Sequence, residues 1–300
     1  MKVEMLKLQK RFMKNTYNIK FSDLNENADF KEMFLALEKG FKKFEIDFYL
    51  VGAIAKNIWI SSIHKVGPSR TTKDFDVAVL IADKKEFNNL KEFLINENNF
   101  VGSSENAFAL IWNKKYFIDL LPFGEIENEE SNVLVDGKGF INMSVPGFYD
   151  IYKNELSILN VEDIASFQIC SLTDIIILKF FAWNDRPEHR EKDITDIGEI
   201  LYSYFDMNDE FIYENYSFLF DELDDLKQLS AVVIGLEIKK TLLNNLTLLN
   251  RLLNIIRDDL ENLNNPKLAL LLVKEFDTSI DFNNNIFKNI INGLERKLPQ

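Results

Sequence analysis

Apolar residues in the first half of the chain recur with two different periods. Phe30, Met33, Phe34, Leu37 and Phe41 fall on one face at helical spacing, so a helix is expected over Phe30–Phe44. Phe48–Val51 is a short apolar strand ending at Gly52, and Ile54, Ile58 and Trp59 make the stripe of a helix over Ala53–Ser61. Lys84–Asn96 carries another helical stripe in Phe87, Leu90, Phe93 and Leu94. Between these helices lies the apolar run Val77–Ile81, preceded by Asp74-Phe75-Asp76. Period two there puts both aspartates on one side of a strand, and Phe75, Val77, Val79 and Ile81 on the other, where an apolar layer can cover them. Ala107–Trp112 and Lys115–Phe123 are expected to pair as strands joined at Asn113-Lys114. Shorter strands are expected at Val133–Val135, Ile141–Met143, Leu156–Leu159 and Ile164–Ile169, around a small helix near Gly147–Tyr152.

From Leu172 onward the pattern is almost entirely helical, with polar breaks such as Asn264–Pro266. This order predicts an α+β chain: a module with a mixed sheet over residues 1–168, followed by an all-helical domain over 169–300. No internal repeat interrupts it.

Composition narrows the setting. A single cysteine, Cys170, excludes an intrachain disulfide framework. Met1–Lys20 is charged and periodic, so no signal peptide is expected, and the most apolar stretch, Ile164–Trp183, is broken by Asp174 and Lys179. A cytoplasmic protein without a membrane partner is the expectation. A net charge of −13 argues against extended duplex nucleic acid as a partner. The charge is uneven, however: Asp206–Asp225 is strongly acidic, whereas Lys56–Lys73 and Lys179–Lys192 are locally basic. A basic cleft on an acidic body suits a nucleotide or one end of an RNA.

The candidate chemistry centres on carboxylates. Asp74 and Asp76 form the one Asp-x-Asp in the chain, flanked by Arg70 and Lys73. Two acids on one face beside cations make a seat for a divalent metal and a polyphosphate. Asp119 interrupts Phe117-Ile118-Asp119-Leu120-Leu121, a strand that otherwise looks buried. An ionised carboxylate there is costly unless paired, hydrogen-bonded or coordinated. If its strand lies beside Val77–Ile81, Asp119 joins the other two around metal; a partner Lys or Arg is the alternative. Gly52, at a strand-to-helix junction, is either a plain turn residue or a place for close backbone approach to an anion. Lys179 is either a structural lysine with its head in water or a phosphate clamp. In Lys192-Asp193-Ile194-Thr195-Asp196, Asp193 either caps the next helix or, with Asp196, orients basic groups. There is no Walker loop, no dinucleotide fingerprint, no nucleophile elbow and no EF-hand, and His64, His189 and Cys170 do not make a zinc site.

Taken together, Leu50-Val51-Gly52-Ala53, Arg70–Asp76, Ile118–Gly124, Leu178–Arg186 and Lys192–Ile197 resemble the nucleotidyltransferase superfamily with the polymerase-β-like fold, and within it the AbiEii/AbiGii toxin-like branch. The resemblance spans residues 50–197 and is silent on the C-terminal helices. It implies that Asp74, Asp76 and Asp119 hold two Mg²⁺ ions, with Asp119 alternatively a base toward the attacking hydroxyl. It also implies that Gly52, Ala53, Arg70, Lys73, Lys179, Lys192, Asp193 and Asp196 form the nucleotide-binding set. An NTP is the implied substrate, a tRNA 3′ end or a protein hydroxyl the acceptor, and an antitoxin a partner. A small-molecule acceptor, as in antibiotic-modifying members, is the alternative within the superfamily. The family commonly has Gly-Gly or Gly-Ser where this chain has Gly52-Ala53, which keeps open a module that binds nucleotide or protein without turnover.

Overall fold

The computed structural model describes residues 16–24, 28–67, 74–97, 99–154, 156–162 and 164–298. They form two compact units that divide between Ser171 and Leu172.

The first unit is built on an eight-stranded mixed sheet, order β1-β9-β10-β2-β3-β6-β5-β4. Its strands are β1 (Thr16–Ile19), β2 (Phe48–Leu50), β3 (Asp74–Leu80), β4 (Phe100–Gly102), β5 (Ala109–Trp112), β6 (Tyr116–Phe123), β9 (Ser157–Val161) and β10 (Ala165–Ile169), while β7 (Asn132–Leu134) and β8 (Asn142–Ser144) pair separately. The short helices α1 (Phe21–Leu24), α3 (Gly52–Asn57) and α5 (Phe148–Lys153) and the longer α2 (Ala28–Phe44) and α4 (Lys84–Glu97) complete the unit. Two strands exceed the sequence expectation: β1 pairs parallel with β9, and β4 antiparallel with β5. Both are short edge elements with little apolar alternation, so partners rather than local pattern make them strands.

The apolar stripe of α2 is buried throughout, and its Phe30 and Phe34 rings meet Phe75 edge-on. Phe75, Val77, Val79 and Ile81 are all buried, as alternation along β3 requires. The opposite face is covered toward the C-terminal end of β3, where Tyr49 packs on Phe123 and donates its hydroxyl to the Phe148 carbonyl of α5. The β5–β6 hairpin turns at Asn113 and Lys114, both with positive φ (49° and 54°), a backbone twist suited to tight hairpins. The helix begun by α3 continues as a π-helix over Ile58–Ile63. Trp59 anchors it by donating from Nε1 to the Cys170 carbonyl at 2.8 Å.

The second unit is helical among its described residues: α6 (Leu172–Asp185), α7 (Glu191–Tyr216), α8 (Leu226–Leu242), α9 (Leu246–Glu261), α10 (Lys267–Glu275) and α11 (Ile280–Glu295). Its centre is the contact of α8 with α11, where Gly235 faces Gly293. A Cβ on Gly235 would lie 2.2 Å from the Ile290 carbonyl oxygen, and one on Gly293 2.1 Å from that of Val232. The two backbones touch, and neither can yield as a side chain would. Alanine gains about 1 kcal/mol over glycine from helix propensity. Separating the helices costs about 1–3 kcal/mol, as overpacking does, so the clash decides the sign. Gly235→Ala is expected to lower the thermal unfolding midpoint followed by circular dichroism, and Gly235→Leu to lower it further. A midpoint raised by alanine would show that the helices part freely.

Candidate active site

Strands β3 and β6 run parallel with Asp76 directly beside Asp119 and Asp74 beside Phe117. Side chains on paired positions share a face, and alternation puts Asp74 on it too, so all three carboxylates stand on the sheet face opposite α2. Asp74 is exposed, while Asp76 and Asp119 are half-buried. Phe117, expected to be buried, is 45% exposed, because it occupies the same open end of the sheet as the acids. The face is apolar where α5 covers it and acidic where it is open.

Asp76 and Asp119 are like charges on directly opposed positions, an arrangement that is destabilising by itself. Asn106 and Gly52 are among the neighbours that engage them. Asn106 donates from Nδ2 to Asp119 Oδ1 at 3.2 Å, and is itself held by the Phe108 backbone N–H, which donates to its Oδ1 at 3.0 Å. Gly52 packs its backbone on Asp76: a Cβ there would sit 2.0 Å from Oδ2, and its φ of +68° is one that side chains rarely adopt. The Val51 N–H donates to the Asp76 carbonyl at 3.3 Å, which ties this junction to β3. Gly52 is therefore required at this position twice over. Ala53 follows it, half-exposed, in the first turn of α3.

Sequence reasoning passed over two residues. Asn106 precedes β5 by three positions and belongs to no periodic pattern, so only the tertiary fold reveals it. Lys56 is 1% exposed, one helical turn after Gly52. It lies two residues from both Ile54 and Ile58, off their side of the helix, so its burial is decided by the tertiary fold.

The carboxylate donor set is of the hard-oxygen type that Mg²⁺ prefers, and the register supplies it in a row. Among the described residues no three acid, imidazole or thiol groups already lie in a metal-holding cluster. The fit rests on donor chemistry and strand register rather than on a preformed nest.

Lys179, Lys192, Asp193 and Asp196 belong to the second unit. Lys179 on α6 is 8% exposed, and its Nζ contacts Asp193 Oδ1 at 2.8 Å and Asp196 Oδ2 at 2.6 Å. Burial pulls the Lys179 pKa down, but the charges of Asp193 and Asp196 and their hydrogen bonds outweigh it and hold the ammonium above its ordinary range. Asp193 does not cap α7, since Arg190 occupies that position and Asp193 lies three residues in. Its Oδ2 is buried without a hydrogen bond, 3.7 Å from Arg190 Nη1. Asp193 and Asp196 thus orient a basic group, and that group is Lys179. Lys192 is exposed. Arg70 and Lys73 lie outside the described residues.

No protein-family model matches the chain, and no curated protein matches it significantly. A solved structure that overlaps it is the solution structure of the antibiotic-resistance factor ANT(2'')-Ia, 13% identical, covering 52% of this chain and 72% of that one at a TM-score of 0.30. An overlap at that score does not decide fold or function. Among the described residues no helix is long and apolar enough to cross a membrane.

Proposed function

We infer that the chain is a nucleotidyltransferase of polymerase-β-like fold, moving an NMP from an NTP to a hydroxyl acceptor. The observation that carries this reading is the parallel register that seats Asp119 beside Asp76, with Asp74 two residues ahead on the same open face. Three carboxylates on one face, with the Gly52 backbone packed against Asp76, form a hard-oxygen donor set suited to a divalent cation. Asp74, Asp76 and Asp119 are the residues that would hold two Mg²⁺ ions, which when bound supply charge neutralisation and polarisation at the triphosphate. The Gly52 backbone packs on Asp76 at this face, and in this reading it and the following Ala53 would approach the phosphates. Arg70 and Lys73 precede β3 in sequence and complete the proposed nucleotide set from the first unit. In the second unit, Asp193 and Asp196 already neutralise Lys179, whereas Lys192 is exposed.

The acceptor oxygen attacks the α-phosphorus and forms the new O–P bond. The bond to the β-phosphate oxygen breaks and pyrophosphate leaves. Asp119 would complete the two-metal site or, alternatively, take the proton of the attacking hydroxyl; its hydrogen bond from Asn106 supports either role. A tRNA 3′ end or a protein hydroxyl is the acceptor in this reading, with a small antibiotic-type molecule the other choice, and a neutralising antitoxin goes with the toxin-like branch.

Incubation of the purified chain with each α-labelled NTP and total cell RNA and protein is expected to give a labelled product in Mg²⁺ and none in EDTA. Label on RNA, on protein or on neither separates the acceptors. Calorimetric nucleotide binding without transfer to any acceptor would instead support the binding module to which Ala53 points.

A further inference from the structure

The most acidic segment of the chain also carries an exposed aromatic stack. Between Asp206 and Asp225 every acidic residue is exposed, and no Lys, Arg or His occurs. Helix α7 kinks at Asn208 (φ −133°, ψ 22°), whose Nδ2 donates to the Tyr204 carbonyl. Beyond the kink, Tyr213 and Phe220 stack face to face, centroids 4.8 Å apart and planes 5° from parallel. Phe205 meets both edge-on. Tyr213 nevertheless remains 55% exposed and Phe218 43%. Large aromatic side chains ordinarily bury most of their area, and here two stand half in water on a segment whose acidic residues are all exposed.

We propose that this surface docks an arginine-rich polypeptide segment of a partner protein. The chemistry is complementary on both counts. A guanidinium stacks on an exposed aromatic face and forks onto a carboxylate, whereas an ammonium does neither as well. The unit already makes the carboxylate fork internally: Arg296 grips Glu222 with both terminal nitrogens, Nη1 to Oε1 at 3.1 Å and Nη2 to Oε2 at 2.5 Å. That pair holds the Glu222 carboxyl below its ordinary range, chiefly through the hydrogen bond from Arg296. A nucleic acid is repelled by the carboxylates, and a second copy of the chain, at −13, meets the same repulsion.

The test uses the full chain with fluorescent nona-arginine and nona-lysine peptides, read by anisotropy at near-physiological salt. Nona-arginine is expected to bind about fivefold tighter than nona-lysine, a ratio set by guanidinium stacking. Tyr213→Ser with Phe218→Ser, both exposed positions, is expected to abolish that preference while leaving the far-ultraviolet dichroism unchanged. Asp209→Asn with Glu210→Gln is expected to weaken both peptides, about fivefold or more. Glu125→Gln with Glu129→Gln and Glu130→Gln, equally exposed acids of the first unit, is expected to leave binding intact. Equal affinity for the two peptides, an unchanged preference in the aromatic variant, or equal loss in the first-unit variant overturns the proposal. So does a dimer in sedimentation that the aromatic variant dissociates, since the patch would then serve self-association.

Discussion

Asp76→Asn is expected to lower nucleotide transfer on the order of 10³-fold, the scale of loss when a transition-state electrostatic group is removed. The amide keeps the size of the carboxylate, so β3 and its pairing with β6 persist and the loss is chemical. Asp119→Asn is expected to act on the same scale, because it occupies the neighbouring register position. Its loss should also show in the pH profile of the rate, where a base contributes a limb that vanishes with it. Gly52→Ala tests the geometry from the other side. The added methyl would press on Asp76 Oδ2 at 2.0 Å, so transfer should fall although no acid has changed. Label transfer per minute from an α-labelled NTP is the measurement, with Glu125→Gln as the exposed-acid control. An Asp76→Asn, Asp119→Asn double variant that transfers at the wild-type rate removes the carboxylate row from the reaction.

Lys179→Met is expected to cost about 3–5 kcal/mol of stability, the price of leaving buried carboxylates without their cation. Asp193 and Asp196 are both within ion-pair distance of the one ammonium, and Asp193 Oδ2 is already short of a hydrogen bond. Removing Lys179 leaves two like charges in the same pocket. Lys179→Met combined with Asp193→Asn and Asp196→Asn removes all three charges and is expected to recover most of the loss. Urea unfolding of the single and triple variants measures both. A single variant within about 1 kcal/mol of wild type, the range of exposed ion pairs, would show the triad is open to water. The pH dependence has a definite sign. Because the folded pKa of Lys179 is raised, its contribution is fully present below the ordinary lysine value of 10.5 and is lost as pH rises through the higher folded value. Alkaline unfolding should therefore be shallower in the triple variant.

Much of the frame was legible in the chain. The stripes of α2 and α4, the alternation of β3 and the Asn113-Lys114 hairpin are local patterns, and each lies where its periodicity puts it. Less legible were β1 and β4, three or four residues long, which become strands because a partner edge is there to pair with. Burial at single positions was harder still. Phe117 has the composition of a buried strand residue and yet is exposed, because cover from α5 reaches one end of the face and not the other. Asp193 has the look of a helix cap, but the helix starts two residues earlier than Asp193 and leaves its carboxylate to Lys179.

By itself, the sequence determined the identities of the charged groups, the shared side of Asp74 and Asp76, and the α+β order, since all three follow from spacing along one chain. Only the tertiary structure decided that Asp119 stands beside Asp76, that Gly52 lies against the Asp76 carboxylate and that Asn106 holds that of Asp119. Register between strands more than forty residues apart is set by how two sheet faces pack, and no periodicity within either strand records it.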